Sequence, residues 1–420
     1  MPLSFELFGK DFNASKVKSK QYTYNGETYT IYNYDTSVIC DDDCDKLGLY
    51  RSVITDSVGN IISFAPPKSV SSEYFEKINF DIEHNFNLFA NEFIEGTMIN
   101  LFYNKNIGSW EISTKSAIGG NYWYFRTSYQ ESNEKNTQMT FREMFMEALG
   151  EDLETDLNEA SIIKTLNTEY IYSFVMQHPM NHIVLNIQKP AVYLVSGYKV
   201  KEQTTVITYT VNELVTLLKM DNIIASNILL PTNIDISGKQ LSEINQMIYL
   251  NNLNVGIMLF NPINGQRLKL VNDAYLRLKD IRGNNPNLHY HYLSLFAAGK
   301  VNEFLHMFPR YQKLFYEFYL QSYNFIKDVH DAYVSYYVLK MGKTQLIPKS
   351  IFTHIFKIHN TYYLPNIKNE TPTIITRDIV AKYYNSMTPK EKLFHVTYKT
   401  REYTKNNMET VYEENSIYQS

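Results

Sequence analysis

The chain predicts an α+β protein, an antiparallel β-rich body followed by an all-helical C-terminal domain. Three observations carry this expectation. Apolar and polar residues alternate with the period of strands in short runs as far as Val271. Turn residues such as Asn25-Gly26 separate those runs at hairpin spacing. Beyond Gly283-Asn284-Asn285-Pro286 the apolar period lengthens to that of helices.

Taken in order, Gln21 to Tyr24 and Glu27 to Tyr32 form a two-residue hairpin, because Asn25-Gly26 accepts the positive φ angles of such a turn. Arg51 to Thr55 and Asn60 to Phe64 form a second, ended by Pro66-Pro67 because proline cannot donate to a ladder. Thr97 to Tyr103 and Trp110 to Thr114 flank a short loop and make a third. Thr140-Phe141-Arg142-Glu143 is a capping box that opens a helix through Leu149, and the acidic run from Glu151 to Glu159 reads as a solvated connection. Tyr170 to Met176, Ile183 to Asn186, Ala191 to Tyr198 and Thr204 to Thr210 read as strands, with helices near Asn212 to Lys219 and Leu241 to Leu250. A last hairpin pairs Val255 to Phe260 with Arg267 to Val271. From Leu288 to about Phe394 the pattern is helical, with Leu314, Phe318, Phe325, Val329, Tyr333 and Tyr336 on one face. The expected domains are residues 1–285, 286–400 and a polar tail at 401–420.

Composition narrows the function classes. A net charge of −4 excludes a globally basic polyanion binder, so any contact with nucleic acid must use a local patch. Basic residues are densest at Arg267, Lys269, Arg277, Lys279 and Arg282, which form either a phosphate-contacting strip or a solvated face. With Tyr 35 and Phe 24 against Gly 16 and Pro 13, the aromatic count reflects an AT-rich coding sequence as much as stacking, and is not by itself a nucleic-acid signal. The only two cysteines, Cys40 and Cys44, lie in an acidic run that reads as a solvated loop rather than a metal site, because no second ligand pair has zinc spacing. They suit a reducing compartment. His354 and His359, five apart, fall on different helix faces and read as core or surface histidines rather than a ligand pair. No run approaches the roughly 18 apolar residues of a membrane span, and the N-terminus lacks a signal-peptide pattern, so the expected setting is cytoplasmic with no membrane.

The stretch Glu92 to Tyr103 carries the first site expectation. Glu95 and Gly96 sit at the entrance of one strand and Lys115 at the exit of its partner, where glycine admits a close approach, a carboxylate can hold a sugar hydroxyl or metal, and a lysine can reach a phosphate.

These pieces, in this order, resemble the nucleotidyltransferase body of ATP-dependent RNA ligases, in particular the phage T4 RNA ligase 1-like group and its relatives in large DNA viruses. Arg51 and Pro66-Pro67-Lys68 match the family's early arginine strand and lysine. Phe93-Ile94-Glu95-Gly96 aligns with its Lys-x-Asp-Gly motif, and Ser113-Thr114-Lys115-Ser116 with the following strand end. Phe174 to Val184 aligns with a Phe-Glu-Phe-x-x-Pro segment, Val255-Gly256-Ile257-Met258 with the Glu-Gly motif, and Lys269-Leu270-Val271 with Lys-x-Lys. The resemblance spans about residues 50 to 285 and implies RNA end joining through a lysyl-adenylate, with ATP and Mg2+ as cofactors and RNA ends and nucleotide as partners. It implies nucleotide contacts at Arg51, Lys68, Glu95, Gly96, Lys115, Phe174 and Lys269, and the local basic density makes Arg267, Arg277, Lys279 and Arg282 the candidate RNA contacts.

Four departures stand against that chemistry. Phe93 replaces the nucleophilic lysine, and Val175, Val255 and Val271 replace two glutamates and a lysine, which leaves the metal site degraded and its ligands unknown. Two readings follow: a ligase with a displaced nucleophile, Lys115 first and Lys68 second, or a catalytically inactive pseudo-ligase that binds RNA, its helical domain docking RNA or a protein partner. A third, a purely structural protein on a recycled fold, is kept as the minor alternative.

Overall fold

The computed structural model describes residues 3–9, 12, 15–80, 88–123, 139–181, 183–218, 227–341, 347–368 and 373–399. It contains two compact units; the described residues of the first end at Arg282 and those of the second begin at Gly283. An antiparallel β-rich part followed by helices is the predicted fold class. The tail at 401–420, His182 and Lys219 lie outside the described residues.

In the first unit β1 (Ser4–Glu6) precedes a hairpin of β2 (Val17–Tyr24) and β3 (Glu27–Tyr34), whose turn residues Asn25 and Gly26 have φ of 51° and 79°. β4 (Val53–Thr55) and β5 (Ile61–Phe64) follow, their connection closed by Asp56, whose carboxylate accepts the Val58 and Asn60 amides at 3.0 and 2.9 Å. Helix α1 (Ser72–Asn79) leads to β6 (Phe89–Glu92) and to the hairpin of β7 (Thr97–Asn104) and β8 (Ser109–Ser113). Helix α2 (Phe141–Leu149) starts at Thr140 with the expected capping box. The acidic run after it is mostly exposed, but Leu157 is fully buried within it. Next come β9 (Tyr170–Gln177), β10 (Ala191–Lys201), β11 (Thr205–Tyr209), α3 (Val211–Leu217), β12 (Ile228–Leu229) and α4 (Leu241–Leu250). The last hairpin is β13 (Gly256–Phe260) and β14 (Arg267–Val271), and α5 (Asp273–Arg282) closes the unit.

The described strands form three sheets. The largest has the order β1-β11-β10-β9-β7-β8, with β12 parallel on β10; the others are β14-β13-β6 and β2-β3-β4-β5. One face of the large sheet buries Phe174, Tyr172, Met176 and Leu194 against Phe145 and Met144 of α2 and Leu214 of α3. Its other face packs Phe102, Ile171 and Tyr198 on Ile31, Ile54 and Phe64 of the four-stranded sheet. The small sheet buries Leu259, Leu268 and Leu270 against Phe75 of α1 and Ile244 of α4.

Ile183 to Asn186 is not a strand. The segment bends so that three successive amides turn toward one carboxylate, a tertiary demand that the apolar run did not reveal. Gly256 is required by close approach: a Cβ there would stand 2.0 Å from the Leu270 carbonyl oxygen. Gly256→Ala should push β13 away from β14 and lower the urea midpoint, at a cost of about 1–3 kcal/mol.

The second unit contains α6 (Leu288–Ala297), α7 (Val301–Met307), α8 (Gln312–Tyr333), α9 (Lys349–Ile358), α10 (Arg377–Asn385) and α11 (Pro389–Val396). The buried face of α8 runs Phe315, Phe318, Ser322, Phe325, Val329 and Tyr333, so Phe315 takes the place expected of Leu314, one residue back. His354 is a core residue; its Nδ1 lies 2.9 Å from the Tyr383 hydroxyl and its Nε2 3.0 Å from His395 Nδ1. Burial brings His289 and His354 down from 6.5 to about 4. The unfolded chain takes up these protons near pH 6.5 and the folded unit only near 4, so their stability is complete above 6.5 and is lost as pH falls toward 4. Both tryptophans, Trp110 and Trp123, precede Arg282. Acid titration should therefore reduce helical ellipticity before it shifts tryptophan emission.

Candidate functional site: a cationic cleft

Alternation along β14 decides what this strand contributes. Leu268 and Leu270 enter the core, which leaves Arg267, Lys269 and Val271 on the opposite face. Across the ladder, Met258 pairs with Lys269 and Phe260 with Arg267, while Asn91 and Phe89 of β6 pair with Met258 and Phe260. This face and β10 and β11 of the large sheet border a cavity of about 120 Å³, lined among others by Asn91, Ser196, Tyr198, Thr208, Phe260 and Arg267.

Phe93 follows β6 directly, and its backbone N–H donates to the Gly256 carbonyl at 2.9 Å. The Lys269 ammonium lies 5.2 Å from the centre of the Phe93 ring. Beside them Val184, Val255 and Tyr275 form an apolar cluster against which Phe93 and Val271 pack. Three of the four departures from the family pattern therefore meet in one place. The fourth, Val175, sits on β9 opposite Met98, against Gly96, where a Cβ would stand 2.4 Å from the Met176 carbonyl oxygen and 2.7 Å from Val175 Cγ1.

Burial is the largest influence on Lys269 and, with the charges of Arg51, Arg267, Lys279 and Lys68, brings its pKa down to about 7. Lys115 is lowered by burial and by Arg51, and its ammonium lies 5.5 Å from the Tyr34 ring centre. Arg267 is brought to about 10 by burial, with Tyr198 opposing and Arg51 adding to the shift. Arg51 acts on all three, so its charge lies within reach of each. Among the described residues, the Arg51 and Arg267 side chains donate to carbonyls, those of Pro66 at 3.5 Å and Pro67 at 3.3 Å. Among the described residues no carboxylate forms an ion pair with Arg51, Lys115, Arg267 or Lys269. In a partly desolvated cleft such a concentration of one sign is a site for an anion, and several adjacent cations suit a polyphosphate.

The other expected residues are placed differently. Lys68 turns to Ser69 O at 3.3 Å, Cys44 Sγ at 3.4 Å and Asp41 at 3.9 Å, so its charge is partly answered. Glu95 is buried, and its carboxylate accepts the amides of Ile183, Val184 and Leu185 at 3.1 to 3.3 Å. It closes that bend and raises the Tyr275 hydroxyl pKa, after burial itself. Phe174 lies in the core, 5.7 Å from the Phe145 ring, on the face of the large sheet away from the cleft. Arg277 and Lys279 are exposed on α5, whereas Arg282 is fully buried. With Glu95 engaged and Val255 apolar, the cleft does not fit a resident divalent metal, and no group of three or more His, Cys, Asp or Glu among the described residues is placed to hold one. Sequence reasoning missed Phe89, Asn91, Ser196 and Thr208, since only the pairing of β6 with β13 brings them to one cavity.

The fold and site define a class: an α+β protein with a cluster of cations beside a cleft between antiparallel sheets. Among solved structures the chain is similar to an archaeal ATP-dependent RNA ligase (form 1), at 11% identity over 71% of this chain and 68% of that one, TM-score 0.39. It is also similar to a mutant RNA ligase of Naegleria gruberi in its apo form, at 13% identity over 66% of this chain and 84% of that one, TM-score 0.36. A further mutant of that ligase, with AMP and Mn, matches at 12% identity over 65% and 84%, TM-score 0.33. No family model and no curated protein matches the chain.

Proposed function

We propose that the first unit is an RNA ligase-like nucleotidyltransferase body, related to the T4 RNA ligase 1-like group, that binds ATP and phosphorylated RNA ends. The observation that supports this reading most is the set of Arg51, Lys115, Arg267 and Lys269, of which Arg267 lines the cavity, with no carboxylate paired to them among the described residues. The base enters the cavity, where Asn91, Ser196 and Thr208 offer hydrogen bonds and Phe260 and Tyr198 offer ring surface. The phosphates lie on the cations.

Lys269, rather than Lys115 or Lys68, is the displaced amine. It stands against the phenyl ring that occupies the nucleophile's position, and near neutral pH about half of it is uncharged. Its Nζ attacks the α-phosphorus; an N–P bond forms as the bond to the pyrophosphate oxygen breaks, and the amine proton passes to solvent. Arg51, Arg267 and Lys115 receive the charge of the departing pyrophosphate. The adenylyl group then passes to an RNA 5′ phosphate, from which a 3′ hydroxyl displaces it.

The test is incubation with ATP labelled at the α-phosphate, with magnesium or manganese supplied, followed by a denaturing gel. Covalent label supports the ligase. A second reading, the pseudo-ligase, draws on the apolar packing of Phe93, Val255 and Val271; it expects no label but salt-sensitive binding of 5′-phosphorylated RNA. That binding should weaken in Arg51→Ala and in Arg267→Ala, each reducing the slope of log affinity against log salt by about 0.7. Neither label nor RNA binding would overturn both readings.

A further inference from the structure

The exposed side of α8 carries three tyrosines in register. Tyr316 and Tyr319 have ring centres 6.2 Å apart at 26°, and Tyr319 and Tyr323 6.4 Å apart at 30°. They are 60%, 48% and 44% exposed, which is unusual for a run of large rings with no covering chain. Beside the first two opens a groove of about 460 Å³, whose walls include Tyr292 and Phe296 of α6 and Asn302 and Leu305 of α7. Phe296 is 40% exposed, and the Lys392 ammonium lies 5.5 Å from its ring centre.

Cations frame this surface. Lys313 precedes Tyr316 by three residues and Lys327 follows Tyr323 by four, the offsets that place them in one stripe of a helix, and both are exposed. Lys300, also exposed, adjoins the groove-lining Gly299 and Val301. Of the acids on α8, Glu317 lies four residues from Lys313, Asp328 is held by Lys399 and Tyr398, and Asp331 meets His330 and Arg377. Asn302 and Gln312 add amides to the groove lining, able to meet the edge of a base.

We propose that the tyrosine ladder and its groove are a stacking site for two or three unpaired nucleotides of single-stranded RNA. Rings stepped by one helical turn, about 5.4 Å, lie within the reach of successive unstacked bases, and flanking lysines meet the phosphates. A helical protein partner would be met mainly by aliphatic knobs; here Val301 and Leu305 are the aliphatic side chains lining the groove, among aromatic rings and two amides. The choice of RNA as the strand rests on the reading of the chain as one that handles RNA ends.

The experiment uses the full chain and a fluorescent oligoadenylate without a 5′ phosphate, followed by anisotropy. Tyr316→Ala and Tyr319→Ala should each weaken binding about 5- to 150-fold, since stacking is worth about 1–3 kcal/mol per base. Tyr316→Phe should restore most of it, because the ring and not the hydroxyl stacks. A double-stranded competitor should displace the probe poorly. Unchanged affinity in the Tyr316→Ala Tyr319→Ala double variant, or failure of Tyr316→Phe to rescue, overturns the site; unchanged affinity is also the result expected if a protein covers this face. Should the double variant bind normally while Arg51→Ala loses 5′-phosphorylated RNA, this inference fails and the cleft reading stands. If no RNA binds the unsubstituted chain, both fall.

Discussion

With Lys269→Arg, covalent label from α-labelled ATP falls below detection while ATP still binds. Arginine keeps the positive charge but stays protonated at any working pH, so it offers phosphate a cation and no lone pair. The unsubstituted chain should label along a profile set by the same amine. Below about pH 7 the neutral fraction of Lys269 falls tenfold per pH unit, and so does the labelling rate; above it the rate levels off. Stability moves the other way. The folded-state pKa lies below the ordinary 10.5, so the unfolded chain holds this proton more tightly, and the unfavourable contribution is full below about pH 7 and fades as pH rises toward 10.5. Lys269→Met should accordingly raise the melting temperature at pH 7 even as it removes the label, a stability gain bought with lost activity. Label that persists in Lys269→Arg and disappears in Lys115→Ala would transfer the role to Lys115.

Glu95→Ala should lower the melting temperature by roughly 6–12 °C. Three amides, those of Ile183, Val184 and Leu185, donate to this one buried carboxylate. Removing it strands donors in a site closed by Val184, Val255 and Tyr275, at about 1 kcal/mol or more for each. The sum, about 3 kcal/mol, corresponds to the stated shift at 2–4 °C per kcal/mol for a unit of this size. Glu95→Gln keeps one acceptor oxygen and should recover about half. The readout separates a structural carboxylate from a nucleotide ligand: a ligand's loss would weaken ATP binding at unchanged stability, measured by isothermal titration beside thermal unfolding.

How far the sequence could be read differs by element. The hairpin at Asn25-Gly26 was legible because its turn chemistry is local, and the capping box at Thr140 for the same reason. The bend at Ile183 was not, since an apolar run looks alike whether its amides meet a neighbouring strand or a distant carboxylate. Lys269 could be seen as a family position, but its unusual proton affinity depends on burial and then on Arg51, more than 200 residues earlier in the chain. Phe174 matched a motif by order, and pleating turned it to the covered face of its sheet.

What the sequence determined by itself is the kind of structure each segment makes: alternation gives strands up to Val271, and the longer apolar period gives helices after Gly283, because both periods follow from backbone geometry alone. Which charges share a cleft was decided only by the tertiary structure. Strand pairing brings β6 beside β13 and β13 beside β14, burial strips water from Lys269 on the face this creates, and neither effect is written in the spacing of residues along the chain.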